Sequence, residues 1–125
     1  MSLMINGQLK NDWFDEQHKE GEYVRRDSQF RNWITVDGSA GPSGEGGFKA
    51  EPDRYHLYVS YACPWANRTL IFRELKQLQD LISVSVVHPD MEQKGWYFGD
   101  FPGATKDHIH GYQFMHQVYT QAQPN

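Results

Sequence analysis

The chain contains one cysteine, Cys63, and the residues that follow it favour thiol chemistry. Pro64 comes next, and proline is preferred at the first position of a helix because its missing N–H would have no partner there. Cys63 is therefore predicted to be the N-cap, with its sulfur close to unpaired backbone amides. Helix N-termini and nearby positive charges favour the thiolate, and Arg68 follows about one helical turn later. This position predicts a nucleophilic cysteine.

A lone cysteine also has a simpler interpretation, because free cysteines are among the most buried residues and often act as small apolar side chains. The Cys-Pro pair at a predicted strand-to-helix junction favours the reactive interpretation. Ala66 stands where a dithiol protein has its second cysteine, in the order C-P-W-A. A disulfide formed by Cys63 must then be resolved by an external thiol, and glutathione is the abundant thiol of a cytoplasm.

The elements that would position Cys63 are predicted to form a β-α-β unit. Residues 55–60 alternate large apolar with small or polar side chains, as a strand does, and residues 65–78 have apolar side chains at helical spacing. Residues 82–87 are predicted to form a second strand, parallel to the first. The apolar positions predicted to face inward are Ile71, Leu75 and Leu78, with Leu70 and Phe72 beside them. The polar positions predicted to face outward are Arg73, Lys76 and Gln77.

The flanking segments have weaker patterns. Residues 5–33 combine charges with aromatic side chains, among them Trp13, Phe14, Tyr23, Phe30 and Trp33, and predict an irregular N-terminal arm. Residues 37–47 are predicted to form a glycine-rich turn or linker, without the glycine spacing of a phosphate-binding loop. A last helix is predicted over residues 107–122, weakened by Gly111 and ended by Pro124.

Composition excludes several kinds of partner. The net charge is -4 and the 12 basic residues are scattered, which argues against nucleic acid or an anionic membrane. No apolar run approaches the length of a membrane span, which is roughly 20 residues. No apolar segment follows a basic start, so a cytoplasmic protein is expected. His108, His110 and His116 are not spaced to share one helical face, and no metal site is predicted.

The run DRYHLYVSYACPWANRTLI (53–71), with FRNW and GP-G-GGF upstream and ISVSVV and GWYF downstream, resembles the glutathionyl-hydroquinone reductases, the Xi class of glutathione transferases. The resemblance covers nearly the whole chain. It implies a thioredoxin-like α/β fold, in which residues 1–54 are an N-terminal arm and linker. Residues 55–125 would be the first half, βαβα, of a glutathione-binding domain.

The resemblance also implies a reaction. Family enzymes use the cysteine that matches Cys63 to attack the sulfur of a glutathionyl-hydroquinone, which releases the hydroquinone and leaves glutathione on the enzyme. A second glutathione then regenerates the thiolate. The tryptophan that matches Trp96, in the segment GWYF, lies against bound glutathione in the family. Tyrosine- or serine-type activation of glutathione has four candidates near the first strand: Tyr55, Tyr58, Ser60 and Tyr61.

Two other functions stay open at this point. One is an omega-like glutathione transferase with thiol or dehydroascorbate reductase activity, and the other is a non-catalytic thioredoxin-like fragment that binds a partner through an open sheet edge. In the family, two antiparallel strands, a helix and an all-helical domain follow the βαβα half. We therefore expect these residues to be the N-terminal part of a protein of about 300 or more residues, homodimeric at full length.

Overall fold

The structure, a computed structural model, describes residues 3–10 and 29–124. Within these ranges the elements run in the order β1 (Leu3–Ile5), β2 (Gln8–Lys10), β3 (Trp33–Thr35), β4 (Gly47–Lys49), β5 (Tyr55–Val59), α1 (Pro64–Leu75), β6 (Ile82–Val86) and α2 (Met115–Ala122). Among the helices described, none has the length and apolar character needed to cross a membrane.

The predicted β-α-β unit is confirmed. Strands β5 and β6 pair in parallel over five residues each, from Tyr55 opposite Ile82 to Val59 opposite Val86, and α1 connects them. The pairing continues past β6, because the amide of Val87 donates to the carbonyl of Val59 at 2.9 Å. The most buried apolar side chains lie at this end of the pair, which is the end that leads into Cys63: Val59, Val86 and Val87, together with Met115 of α2.

The predicted inner face of α1 is wrong for Ile71, Phe72 and Leu75, whereas Leu70 and Leu78 are half-buried as predicted. Ile71 and Leu75 leave 48 % and 71 % of their surfaces exposed. The least exposed positions within the helix are instead Ala66, Leu70 and Arg73, which follow one another at helical spacing. The helix is therefore rotated about its axis relative to the prediction, and its larger apolar side chains lie outside.

Arg73 explains the rotation. Its Nε donates to the carbonyl of Ile82 and its Nη2 to the carbonyl of Gln79, both at 2.8 Å. A guanidinium with two carbonyl partners is satisfied in a partly buried position, where an unpaired charge would be costly. Sequence periodicity treated Arg73 as a surface residue, but the chain uses it to join the end of α1 to the start of β6.

The N-terminal segments contain short strands that the sequence did not predict. β1 and β2 form an antiparallel hairpin closed by Asn6 and Gly7, which both have positive φ angles, 50° and 71°. β3 and β4 pair in parallel. Strands of three residues are too short to produce an alternating pattern. Trp13, Phe14 and Tyr23, predicted to anchor the arm, lie outside the described residues.

The glycine-rich segment between β3 and β4 is a folded turn. Trp33 donates from its indole nitrogen to Ser43 at 2.7 Å, and the amide of Gly46 donates to Asn32 at 3.0 Å. Gly41 has φ +70°, and a Cβ there would lie 2.6 Å from the Trp33 ring. Only glycine allows this backbone to lie against the indole, so the segment has a defined conformation.

The last helix begins eight residues later than predicted, at Met115 instead of 107. The carboxylate of Asp107 accepts the amides of Ile109, His110 and Tyr112, which closes a turn. Gly111 then takes a φ of +70°. Aspartate competes with helical hydrogen bonding in this way, and glycine tolerates the left-handed conformation that follows. The helical spacing of the apolar residues did not reveal this turn.

Candidate functional site

The structure places Cys63 at the N-cap of α1, as predicted, with Pro64 inside the first turn. Its φ and ψ are -95° and 114°, an extended conformation, and its carbonyl accepts the amide of Asn67 at 3.0 Å. The amide of Cys63 donates back to the carbonyl of Ser60 at 3.1 Å. The cysteine is only partly buried, so its thiol is positioned by backbone bonds on both sides and remains reachable.

The first turn of α1 has no competing anion. It contains no acidic residue, and no side chain caps its amides. The positive end of the helix dipole therefore acts on the Cys63 sulfur without a neutralising carboxylate. Arg68, proposed from the sequence as a second source of positive charge, stacks its guanidinium over the ring of Trp65, 4.5 Å from the centroid. Its charge thus lies on the exposed side of the same turn.

The segment between β5 and Cys63 is held by Ser60 and Tyr61. Ser60 is 4 % exposed and its hydroxyl accepts the amide of Ala62 at 3.2 Å. Tyr61 is 61 % exposed, and its ring lies close to Gly103, where a Cβ would come within 3.2 Å of it. The buried serine hydroxyl has a structural partner, which makes it a poor activator of a substrate thiol.

The strand tyrosines are engaged elsewhere. The hydroxyl of Tyr55 donates to the carbonyl of Lys49, and that of Tyr58 donates to the carboxylate of Asp107. Burial and the hydrogen bond to Asp107 raise the pKa of Tyr58 above its ordinary value. A phenol that strongly retains its proton and is already hydrogen-bonded is unsuited to remove a proton from glutathione, so Cys63 is the better-placed nucleophile.

Trp96, the second residue predicted from the sequence, lies partly buried just after a turn at Glu92–Gly95. Gly95 has a φ of +81°, which glycine adopts without strain. The carbonyl of Trp96 accepts the amide of Met115, the first residue of α2, at 2.9 Å. The backbone of Trp96 is thus attached to the start of α2 and is not on a free loop.

Helix α2 also carries Tyr119, which the sequence analysis did not propose as a site residue. The pKa of Tyr119 is raised, first by neighbouring atoms that desolvate the phenol and then by the negative charge of Cys63. The residue nevertheless leaves 54 % of its surface exposed. Helix α2 therefore bonds the backbone of Trp96 through its first residue, Met115, and carries Tyr119, whose pKa is raised in part by Cys63.

A second polar cluster, between the β5–β6 sheet and the turn before α2, was not predicted. It contains His56, Ser85, Asp107 and His108, joined by hydrogen bonds of 2.8 to 3.1 Å along with Tyr58. Its only sequence signal was a set of polar residues at alternate positions of two strands. Within the described residues, no three His, Cys, Asp or Glu side chains are grouped to hold a metal ion.

Comparison with known proteins supports the resemblance seen in the sequence. No family profile matches the chain. The chain is 53 % identical over 126 residues to the glutathionyl-hydroquinone reductase YqjG of Escherichia coli, which covers all of this chain and 38 % of YqjG. Its sequence relatives include glutathionyl-hydroquinone reductases and also omega-like glutathione transferases, one of them from Schizosaccharomyces pombe with 42 % identity over 89 % of this chain and 33 % of its own length. A second reductase, PcpF of Sphingobium chlorophenolicum, is 41 % identical over 99 % of this chain and 36 % of its own length.

Solved structures agree with the predicted fold. A glutathione-bound structure of YqjG superposes with a TM-score of 0.72 and 61 % identity, over 77 % of this chain and 32 % of that one. A Xi-class glutathione transferase from Natrialba magadii superposes with a TM-score of 0.78 and 40 % identity, over 100 % of this chain and 35 % of that one. The thioredoxin-like α/β prediction is confirmed. The chain spans about a third of the length of these proteins.

Proposed function

We propose that this chain carries the nucleophilic half of a glutathione-dependent reductase that acts on glutathionyl-hydroquinones. The observation that carries the proposal is Cys63 itself, an accessible N-cap cysteine in a C-P-W-A turn with no acid in the first helical turn. Similarity to glutathionyl-hydroquinone reductases over the full length of the chain supports it. Because the chain spans little more than a third of those relatives, the choice of substrate is part of the proposal.

In this proposal the Cys63 thiolate attacks the sulfur of the conjugate. A sulfur–sulfur bond forms between Cys63 and glutathione, while the carbon–sulfur bond to the ring breaks. The ring carbon takes the electron pair and a proton and leaves as hydroquinone. A second glutathione thiolate then attacks the mixed disulfide, releases oxidised glutathione and regenerates Cys63. Ala66 leaves no second cysteine to compete with that external thiol.

The surroundings of Cys63 suit these steps. The N-terminus of α1 stabilises the attacking thiolate, and the same amides stabilise it again when it leaves the mixed disulfide. Trp96 offers an aromatic face on a segment fixed to α2, and we propose that this face lies against bound glutathione. Tyr119 keeps its proton because its pKa is raised, so its phenol adds no negative charge that would oppose the Cys63 thiolate.

The wider assignment follows the same relatives. We propose that residues 55–125 form the first half of a thioredoxin-like glutathione-binding domain, preceded by an N-terminal arm in residues 1–54. We further propose a cytoplasmic homodimer, with glutathione and its hydroquinone conjugates as the small-molecule partners. A single cysteine and a net charge of -4 agree with this location.

The decisive experiment follows release of hydroquinone and oxidised glutathione from a glutathionyl-hydroquinone by the protein and by Cys63→Ser. We expect the serine variant to lose turnover, because a hydroxyl at this position is far less acidic than a thiol. Mass spectrometry of the wild-type protein without reducing thiol should show one added glutathionyl group on Cys63. Thr69→Ser, an exposed change on the same helix, is the matched control and should keep full activity.

Trp96→Ala tests the binding role separately. Loss of one aromatic contact, about 1 kcal/mol, should raise the KM for glutathione about fivefold with a smaller effect on kcat. Turnover retained by Cys63→Ser would refute the proposal. Reduction of dehydroascorbate without release of hydroquinone would favour the omega-like alternative, and absence of a glutathionyl adduct would favour the non-catalytic one.

A further inference from the structure

One face of the β5–β6 sheet is polar. The register places His56 opposite Ser83 and Tyr58 opposite Ser85, so four hydrogen-bonding side chains share this face. The turn at 107–112 covers it. Ser85 is completely buried and Asp107 is only 3 % exposed. A sheet face that packs against the rest of a protein is normally apolar, so a polar face with satisfied partners indicates a specific arrangement.

The contacts form a chain from strand to turn. His56 lies between two serines, with Nδ1 2.6 Å from Ser83 Oγ and Nε2 2.8 Å from Ser85 Oγ. Ser85 Oγ also lies 3.0 Å from Nδ1 of His108 and accepts the backbone amide of His108 at 3.1 Å. The same Nδ1 of His108 is 3.3 Å from the carbonyl of Val84. These atoms define the His56–Ser85–His108 relay.

The partners determine where the protons lie. A carbonyl can only accept, so Nδ1 of His108 must be protonated to bond Val84, and this one N–H is shared between the Val84 carbonyl and Ser85 Oγ. Ser85 thereby accepts twice, from the ring and from the amide of His108. Its own hydroxyl proton can only go to Nε2 of His56, which must therefore be unprotonated. The neutral His56 ring then has its proton on Nδ1 and donates to Ser83.

We propose that the His56–Ser85–His108 relay is a proton-sensitive switch between the sheet and the turn that leads into α2. When Nε2 of His56 gains a proton, it faces the Ser85 hydroxyl, whose oxygen already accepts two hydrogen bonds. Ser85 can accept from protonated His56 only if its hydroxyl rotates to donate to His108. His108 must then carry its ring proton on Nε2 instead of Nδ1, which breaks its bond to Val84, so the two histidines change state together.

The charged groups around His56 set the pH at which this occurs. From the turn, Asp107 favours protonation of His56, while His108 and His110 oppose it. On the sheet its neighbours are the uncharged Ser83, Ser85 and Tyr58. Burial is the largest effect and, together with the histidines, it lowers the pKa of His56. All hydrogen bonds of the neutral relay are thus present above the ordinary histidine pKa of about 6.5. The hydrogen bonds of Ser85 with the two histidines rearrange as the pH falls below that value.

The turn transmits such a change towards the candidate site. Gln113 accepts the amide of Phe98, and Met115 donates to the carbonyl of Trp96, so residues 96–98 follow the segment after the turn. Movement of His108 away from Val84 is therefore expected to alter the environment of the Trp96 indole. That last step rests on the proposed function only where Trp96 is given a role in binding glutathione.

The test is a long-range ¹H–¹⁵N NMR titration of the histidine rings between pH 8 and pH 4.5. Above the His56 midpoint, both His56 and His108 should be in the Nδ1–H form. As His56 protonates, the ring nitrogens of His108 should shift with the same midpoint. In His56→Gln, whose side-chain oxygen can accept the Ser85 proton and cannot titrate, that step of His108 should disappear.

The matched control is His110→Gln, in the same turn but without a side-chain hydrogen bond to the relay; it should keep the joint step and raise its midpoint slightly. If His56→Gln does not fold, Ser85→Ala removes the shared hydroxyl, and the ring nitrogens of His108 should then no longer shift at the His56 midpoint. His108 in the Nε2–H form at pH 8, or a His108 step unchanged in His56→Gln, would overturn the proposal. Neither outcome depends on turnover, whereas failure of the proposed function would appear only in the Cys63→Ser assay.

Discussion

Asp107→Asn is the most informative single change in the described part of the chain. The carboxylate of Asp107 accepts four hydrogen bonds, from the amides of Ile109, His110 and Tyr112 and from the hydroxyl of Tyr58. Burial opposes its ionisation, but the hydrogen bonds to the amides of Ile109 and His110 and the others outweigh burial and lower the pKa to about 2. The turn before α2 is therefore stabilised by a single negative charge.

The magnitude follows from that pKa. A fall from 3.8 to about 2 corresponds to about 2 kcal/mol of stability. Because the folded-state pKa is depressed, this contribution is complete above pH 3.8 and is lost as the pH falls towards 2. Asparagine keeps one acceptor oxygen but presents an NH₂ group to the amide of Tyr112. We expect Asp107→Asn to lower the free energy of unfolding at pH 7 by about 2 kcal/mol.

The assay is urea unfolding of the protein and of Asp107→Asn at several pH values between 7 and 2. The difference in unfolding free energy between them should shrink as the pH falls, because protonated Asp107 loses the same stabilisation. Asp100→Asn removes one exposed carboxylate and is the matched control, which should leave the free energy of unfolding at pH 7 nearly unchanged. A difference below about 0.5 kcal/mol at pH 7, or one that is constant with pH, would refute the assigned role of the carboxylate.

Two further predictions concern the helix and the N-terminal turn. Arg73→Met keeps an unbranched side chain but removes the bonds to Ile82 and Gln79, and should destabilise the protein by about 2 kcal/mol, whereas Arg68→Met should cost less than half as much in the same urea assay. Gly41→Ala places a Cβ 2.6 Å from the Trp33 ring at φ +70° and should cost more than Gly111→Ala, which has the same φ with open space and only about 1 kcal/mol of backbone strain. Equal thermal midpoints for the two alanine variants would show that the Trp33 ring moves aside to make room for the added Cβ.

The β-α-β unit was predictable because its signals are local. Alternation defines the two strands, and the Cys-Pro pair defines the start of α1. The orientation of α1 was not predictable. Hydrophobic periodicity cannot show that Arg73 finds carbonyl partners at Gln79 and Ile82. The same limit explains why the start of α2 was predicted wrongly. Its apolar spacing extends back to 107, but the Asp107 carboxylate closes a turn there.

The candidate site was predictable in part. Cys63 follows from residue types, and Trp96 came only from the family resemblance. Tyr119 was not proposed as a site residue, because its helix was predicted to begin at 107, where the Asp107 carboxylate closes a turn. His56 and His108 are 52 positions apart, and no sequence pattern joins them to the serine between them. Contacts of this separation are fixed by strand register, which a single sequence does not reveal.

The position of α2 connects these observations. The helix is only eight residues long, too short to be stable without tertiary contacts. Its buried apolar contribution is Met115, while the turn before it is held to the sheet by Asp107 and His108. Polar contacts are directional and depend on protonation, so they fix the helix in one orientation more strictly than apolar packing does. Because α2 bonds Trp96 and brings Tyr119 towards Cys63, the geometry of the thiol site depends on the polar face of the sheet.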